Sequence, residues 1–185
     1  MTPTTGLFVL AHNIRSLHNV GSIFRTSDVF AVDKLFLSGY TGHPPDPRLE
    51  KVSLGADKTV LWEYHKSAVR IIKKLRLQHP GLTVVGLENN LNVIPAPEPE
   101  SRLNTLDAGS EPGMMQRLKL LSSLPHFKAK LPLLLVLGEE VSGIPKNVQE
   151  LCDQFVEIPQ FGTKESLNVS VAFGIAVYHI KNAIK

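Results

Sequence analysis

Short apolar runs alternate along the chain with stretches whose apolar residues recur every three or four positions. That alternation predicts an α/β fold on a mainly parallel sheet with flanking helices. Five runs, 7–10, 35–37, 82–87, 133–137 and 155–158, have strand length and lack strict in-out alternation. Strands covered on both faces look like this. Residues 20–30 carry Val20, Ile23, Phe24 and Ser27 at helical spacing, and residues 67–78 carry Ala68, Ile71, Ile72 and Leu75 likewise, so each predicts an amphipathic helix. Residues 167–184 are apolar on most faces until Lys181, which predicts a buried helix with a conspicuously polar start.

Two stretches follow neither period. Residues 38–48 hold Gly39, Gly42, Pro44, Pro45 and Pro47, a loop longer than a plain connection needs. Residues 89–112 hold Pro95, Pro97, Pro99 and Pro112 with Glu98, Glu100 and Glu111, and read as an acidic, proline-rich insertion in a single domain spanning 1–185. A helix over 114–124 is expected to follow it.

Composition then narrows the function classes. The 185 residues are 43% hydrophobic and 20% charged, enough for one cored domain. A net charge of +3 permits polyanionic partners but supplies no basic tail. The lone Cys152 cannot form an internal disulfide and fits a reducing compartment. The longest apolar runs, 6–11 and 131–138, fall far short of the ~20 residues of a membrane span. A soluble, cytoplasmic protein without a membrane partner is therefore expected. The seven histidines show no i,i+4 pair, no HExxH and no neighbouring cysteine, so no metal site is expected. The GxSxG, GxxxxGK[ST] and post-strand GxGxxG signatures are absent too.

Three stretches carry more polar detail than folding requires. In Asn13-Ile-Arg-Ser-Leu-His-Asn-Val-Gly-Ser-Ile-Phe-Arg-Thr, Asn19 and Arg25 lie less than two helical turns apart. On spacing alone, a helix cap at Asn19 and a solvated Arg25 would explain them better than a site would. The run 133–137 leads into Gly138-Glu-Glu-Val-Ser-Gly143-Ile-Pro, and glycines at a strand's C-terminal end allow close approach of a ligand. In Ile158-Pro-Gln-Phe-Gly-Thr-Lys-Glu-Ser166-Leu-Asn168-Val-Ser170, capping explains one polar residue but three less easily.

Taken in this order, the three segments resemble motifs 1, 2 and 3 of the SpoU (TrmH-like) branch of the SPOUT RNA methyltransferases. Asn19-Val-Gly-Ser-Ile-Phe-Arg25-Thr fits N-x-G-x-I-x-R-T, Gly138, Glu140 and Gly143 fit G-x-E-x-x-G, and Ser166-Leu-Asn168-Val-Ser170 fits S-L-N-V-S. The resemblance implies a SPOUT fold with a C-terminal deep trefoil knot and S-adenosylmethionine bound within it. It implies a homodimer that methylates a ribose 2′-hydroxyl of tRNA or rRNA. Carried over by position, Arg25 would be the catalytic arginine and Asn19 its motif partner, with Glu140, Ser166 and Asn168 completing the polar pocket. The cofactor would lie against Leu137, Gly138, Glu139, Gly143, Ile158, Gln160, Ser166 and Leu167, so a side chain at Gly138 would intrude on it.

Glu139 departs from the pattern, since asparagine is frequent at that position in the family. RNA contacts are expected from Arg25 and, beside the long loop, from Arg48 and Lys51. The basic positions Lys66, Arg70, Lys73, Lys74 and Arg76 fit a solvated helix face better than a footprint. Arg25 could act as the base or as an electrostatic activator, and a guanidinium pKa above ~12 weighs against the base. Two other classes compete: a catalytically silent SPOUT-fold RNA-binding protein, and an α/β domain binding a different nucleotide.

Overall fold

The computed structural model describes residues 6–88, 121–164 and 166–184. Its strands are β1 (Leu7–His12), β2 (Lys34–Ser38), β3 (Trp62–His65), β4 (Thr83–Leu87), β5 (Leu121–Ser123), β6 (Leu133–Leu137) and β7 (Gln154–Glu157). Its helices are α1 (Leu17–Val29), α2 (Pro47–Ser53), α3 (Ala56–Thr59), α4 (Ala68–Gln78), α5 (Lys146–Gln149) and α6 (Val169–Ala183). The strands form one sheet in the order β3-β2-β1-β6-β4-β7-β5, and every pairing is parallel. The centre of the sheet is fully apolar: Leu133 to Leu137 of β6 are buried throughout.

Side chains alternate across the sheet and feed two cores. Leu7, Val9 and Ala11 of β1 join Val20, Ile23 and Phe24 of α1 and Phe173, Ala176 and Val177 of α6 on one face. On the opposite face Phe8 and Leu10 join Ile71, Ile72 and Leu75 of α4 and Val148 of α5. Helices therefore cover both faces, the three-layer arrangement that the uninterrupted apolar runs require.

Four expectations are corrected. The loop expected to reach Arg48 ends at Asp46, whose side chain accepts from the Arg48 amide at 2.9 Å and starts α2 at Pro47. Of the span 114–124 expected to be a helix, the described part is instead β5, Leu121–Ser123, and the start of a 3-10 turn at Leu124–His126, while 114–120 lies outside the described residues. The proline-rich 89–112 also lies outside them. Two strands were not expected at all, β3 and β5, and both sit at sheet edges. Ser16, not Asn19, caps α1, accepting from the Asn19 amide at 3.3 Å.

On β3, Glu63 accepts from Lys34 and meets His65 at 3.0 Å and Lys74 at 3.6 Å. The Lys34 and His65 hydrogen bonds hold its carboxyl down to about 2, from an ordinary 4.5. A carboxyl lowered on folding stabilises the fold above its unfolded value and loses that contribution as pH falls through the folded one. Glu63→Gln should therefore be less stable than wild type at neutral pH, with the gap narrowing as pH falls from 4.5 to about 2. Urea midpoints measured across that range check it, and a gap independent of pH would contradict it.

Candidate active site

Because every strand runs the same way, the loops after β1, β2, β4, β6 and β7 all emerge at one edge of the sheet. Ligands of open α/β sheets bind at this edge. The three motifs occupy the loops after β1, β6 and β7; the first lies more than a hundred residues before the other two in sequence, and strand order brings it beside them.

Capping by Ser16 leaves the Asn19 side chain free for another task, and it is only 6% exposed. Its Nδ2 donates to Glu140 Oε1 at 2.9 Å, and its Oδ1 accepts from Asn168 Nδ2 at 3.0 Å. Asn168 Oδ1 in turn caps α6, accepting from the Ser170 amide at 2.9 Å, the Ser170 hydroxyl at 2.6 Å and the Val171 amide at 3.4 Å. The polarity of this relay is fixed from both ends. An ionised carboxylate only accepts and helix amides only donate, so each asparagine can point only one way. Glu140 also accepts from the Arg15 and Ser16 amides at 3.2 and 3.4 Å, which sets its charge at the positive N-terminus of α1. Burial alone would raise its carboxyl; hydrogen bonds from Asn19 and those amides prevail and hold it below the usual range.

Beside the relay opens a cleft of about 190 Å³ lined by Leu137, Gly138, Glu139, Glu140, Gly143, Ser166 and Leu167, all expected site residues. Glu88 and Gln149 line it as well and were not anticipated. Glu88 follows β4 directly, as Glu139 and Glu140 follow β6, so a polar residue at a parallel strand's C-terminal end was the available signal. Its carboxylate accepts from the Ile144 amide at 3.0 Å, and Gln149 donates to the Ile144 carbonyl at 2.7 Å.

The loop after β6 is closed by reciprocal Glu139–Gly143 backbone hydrogen bonds, both 3.0 Å. Gly143 adopts φ +67°, a conformation suited to glycine. A Cβ on Gly138 would lie 2.3 Å from the Gly143 carbonyl carbon and 2.4 Å from the Ile144 nitrogen. The first obstacle to a side chain there is therefore the loop's own returning backbone, not the cofactor space expected from the sequence.

The remaining candidates lie elsewhere. Ser166 reaches the cleft with an exposed side chain. Ile158 packs on the core and Gln160 keeps a buried Nε2 without a hydrogen-bond partner among the described residues; neither lines the cleft. Arg25 is exposed and outside the lining. It sits six residues beyond Asn19, which turns it about 120° around the helix axis. Arg48 grips Asp46 through Nη2 at 2.8 Å and Nε at 3.1 Å, while Lys51 is exposed. Among the described residues no helix is long and apolar enough to cross a membrane, and no cluster of metal-ligating side chains occurs.

The model of the SpoU rRNA Methylase family matches residues 6–178, a span that contains all three motifs and the relay. The chain belongs to the SpoU rRNA methylase family. It is 26% identical over 177 residues to the 23S rRNA (guanosine-2′-O-)-methyltransferase RlmB of Pseudomonas putida, covering 96% of this chain and 59% of that protein. It is 28% identical over 173 residues to the tRNA (guanosine(18)-2′-O)-methyltransferase of Aquifex aeolicus, covering 93% and 67%. The chain thus spans about six-tenths of the length of the curated relatives it matches. Among solved structures, the TrmH/SpoU tRNA modifying enzyme of A. aeolicus superposes with a TM-score of 0.69 at 25% identity, covering 96% of this chain and 75% of that one. The SpoU methyltransferase AviRb of Streptomyces viridochromogenes in complex with AdoMet gives a TM-score of 0.73 at 22% identity, covering 95% and 57%, a likeness of fold. In this SpoU-family chain, then, the matched motifs are the segments that strand order has gathered at one edge.

Proposed function

We propose that the protein transfers the methyl group of S-adenosylmethionine to a ribose 2′-hydroxyl of tRNA or rRNA, with two copies of the chain completing each site. The observation that carries the proposal is the Glu140–Asn19–Asn168 relay, which ties the three motifs of a SpoU-family chain together at the rim of one cleft.

The residues present fit the cofactor. Glu88, Glu139 and Glu140 line the cleft, a complement to a cationic sulfonium and an acceptor set for ribose hydroxyls. Gln160 holds a buried donor without a hydrogen-bond partner among the described residues, in the loop between β7 and α6. The backbone of Leu137, Gly138 and Leu167, with Ile158 and Gln160 beyond them, would hold the ligand. When bound, S-adenosylmethionine supplies a methyl group activated by the neighbouring positive charge. The proposal includes the trefoil knot, in which the C-terminal segment threads a loop beside this cleft.

The chain's own side chains have distinct tasks. Arg25 clamps a phosphate next to the target ribose, and its positive field favours loss of the 2′-hydroxyl proton to solvent as the oxygen–methyl bond forms, the sulfur–methyl bond breaks and S-adenosylhomocysteine is left as the thioether product. Ser166 and Asn168 orient the ribose hydroxyl, and Glu140 fixes the relay that positions Asn168. Nucleophile and methyl are thereby held in line while negative charge develops on oxygen.

A second copy accounts for two features at once. Arg25 stands away from the cleft of its own chain, and α6 carries an exposed apolar stripe of Val171, Ile175 and Tyr178. Gly174, on the same side, has open space in front of it and admits close approach of another helix. An α6-to-α6 contact would bury the stripe and bring a partner's Arg25 toward the cleft.

The test is incubation with tritiated S-adenosylmethionine and total unmodified tRNA and rRNA, followed by alkaline hydrolysis. Ribose methylation blocks cleavage at the modified nucleotide, so the label should appear in alkali-resistant dinucleotides. Label in mononucleotides would place the methyl on a base and overturn the ribose assignment. Cofactor binding with no label in any RNA would make the chain a binding protein.

A further inference from the structure

Glu139, the residue that departs from the family pattern, organises a polar cluster outside the relay. Its side chain is 11% exposed and takes the Arg15 guanidinium at 2.6 Å, with the Ser142 hydroxyl donating to the same carboxylate. The Tyr40 hydroxyl interacts with both charged groups. Arg15 and Tyr40 come from neighbouring loops, after β1 and β2, that interlock closely. Asn13, at φ +59°, accepts from the Tyr40 amide at 3.3 Å, and Gly39 passes so near that a Cβ there would lie 1.8 Å from Asn13 Oδ1. The Tyr64 hydroxyl donates to the Gly39 carbonyl at 2.7 Å and braces the second loop. The Arg15 amide is itself bound to Glu140.

Two fixed loops therefore hold a guanidinium and a phenol ring side by side at the rim of the cleft, yet both face solvent. The Arg15 side chain is 67% exposed and Tyr40 52%. An ion pair this open to solvent adds little to stability, too little to explain so much positioning. A planar cation beside an exposed aromatic ring is the surface that unpaired nucleic acid uses: bases stack on the ring and phosphates meet the guanidinium fork.

We propose that Arg15 and Tyr40 receive the substrate RNA at the mouth of the cleft, Tyr40 stacking on an unpaired base near the target ribose and Arg15 taking its phosphate, with Glu139 holding both in place. This rests on the methyltransferase reading and names how that site engages its substrate. Glu139 is a positioning residue: its carboxylate occupies one edge of the Arg15 fork and leaves the other for phosphate.

The experiment is titration of a short fluorescein-labelled oligouridine with the full chain, read by anisotropy at several salt concentrations. Tyr40→Ala should weaken binding about 5- to 150-fold, the span of one base–aromatic stack, without changing the salt slope. Tyr40→Phe, which keeps the ring and loses only the hydroxyl's contacts, should weaken binding far less than Tyr40→Ala. Arg15→Ala, or Arg15→Gln should the first not fold, should weaken binding and flatten the slope by ~0.7, the loss of one phosphate contact on a single strand. Thermal melts confirm that each variant is folded. Unchanged affinity in the Tyr40→Ala and Arg15 variants overturns the proposal. So does a Tyr40→Phe defect as large as that of Tyr40→Ala, because then the hydroxyl acts structurally and the ring does not stack. Methyl incorporation by the wild-type chain is scored separately, so failure of the enzymatic reading is distinguishable from failure of this one.

Discussion

Refolding Arg25→Ala and Asn168→Ala chains together should restore roughly a quarter of wild-type methyl transfer, although each variant alone is inactive. The expectation follows from the proposed shared site. If Arg25 of one copy works with Asn168 of the other, a mixed dimer has one site with both lesions and one with neither. Random pairing makes about half the dimers mixed, and half of their sites are intact. If both residues act within one chain, every site keeps a lesion and nothing recovers. Native mass spectrometry showing mixed dimers without recovered activity would refute the shared site. Asn168→Ala also removes the cap of α6, at a cost of ~1 kcal/mol, so both variants are first checked for a cooperative melt.

The second large effect is expected from Asn19→Asp, which changes one atom of an otherwise isosteric side chain. It replaces the 2.9 Å donor to Glu140 with a carboxylate oxygen, placing two acids in contact. The lost charge-assisted hydrogen bond and the repulsion should together cost on the order of 3 kcal/mol at neutral pH. Asn19→Ala should cost less, because it removes a donor without adding a charge. The two variants also differ in pH dependence. Adjacent carboxylates share a proton, so the pair's folded pKa rises above its unfolded value and the folded Asp variant takes up a proton as pH falls. Its deficit against wild type should therefore shrink from neutral pH towards the carboxylate range, whereas that of Asn19→Ala should not show this recovery. Denaturant midpoints for the three proteins at a series of pH values decide it; an Asp deficit no larger than the Ala deficit would mean that the relay is not under electrostatic constraint.

The sequence was most legible where burial is complete. β1, β2, β4, β6 and β7 each lie between two other strands, and their continuous apolar runs marked them. The missed β3 reads Trp-Glu-Tyr-His: Trp62 and Tyr64 pack on one core while Glu63 pairs with Lys34, the alternation of an edge strand that a rule for doubly covered strands passes over. The site was legible in part. Polar residues after β6 and before α6 stood out because glycines or a helix start surrounded them. Glu88 did not, since a single acid after a strand has no pattern to set it apart, and only the fold of the β6 loop against it reveals its contact with Ile144. The role of Asn19 was hidden for a related reason. Its place near a helix start suggested a cap, whereas its partners lie 121 and 149 residues away.

Those separations bear on how the protein is made. A ribosome releases Asn19 early, Glu140 much later and Asn168 later again, while the β1–β6 pairing that carries the first two loops together must itself await β6. Closing contacts across such spans is slow, because loop entropy is lost before the contacts are gained. Until Asn168 emerges, the nascent chain holds Asn19 with an idle side-chain carbonyl, and α6, which follows Asn168, has yet to be made. An unfinished chain therefore cannot assemble the complete relay, whose last member arrives only when the third motif has been synthesised.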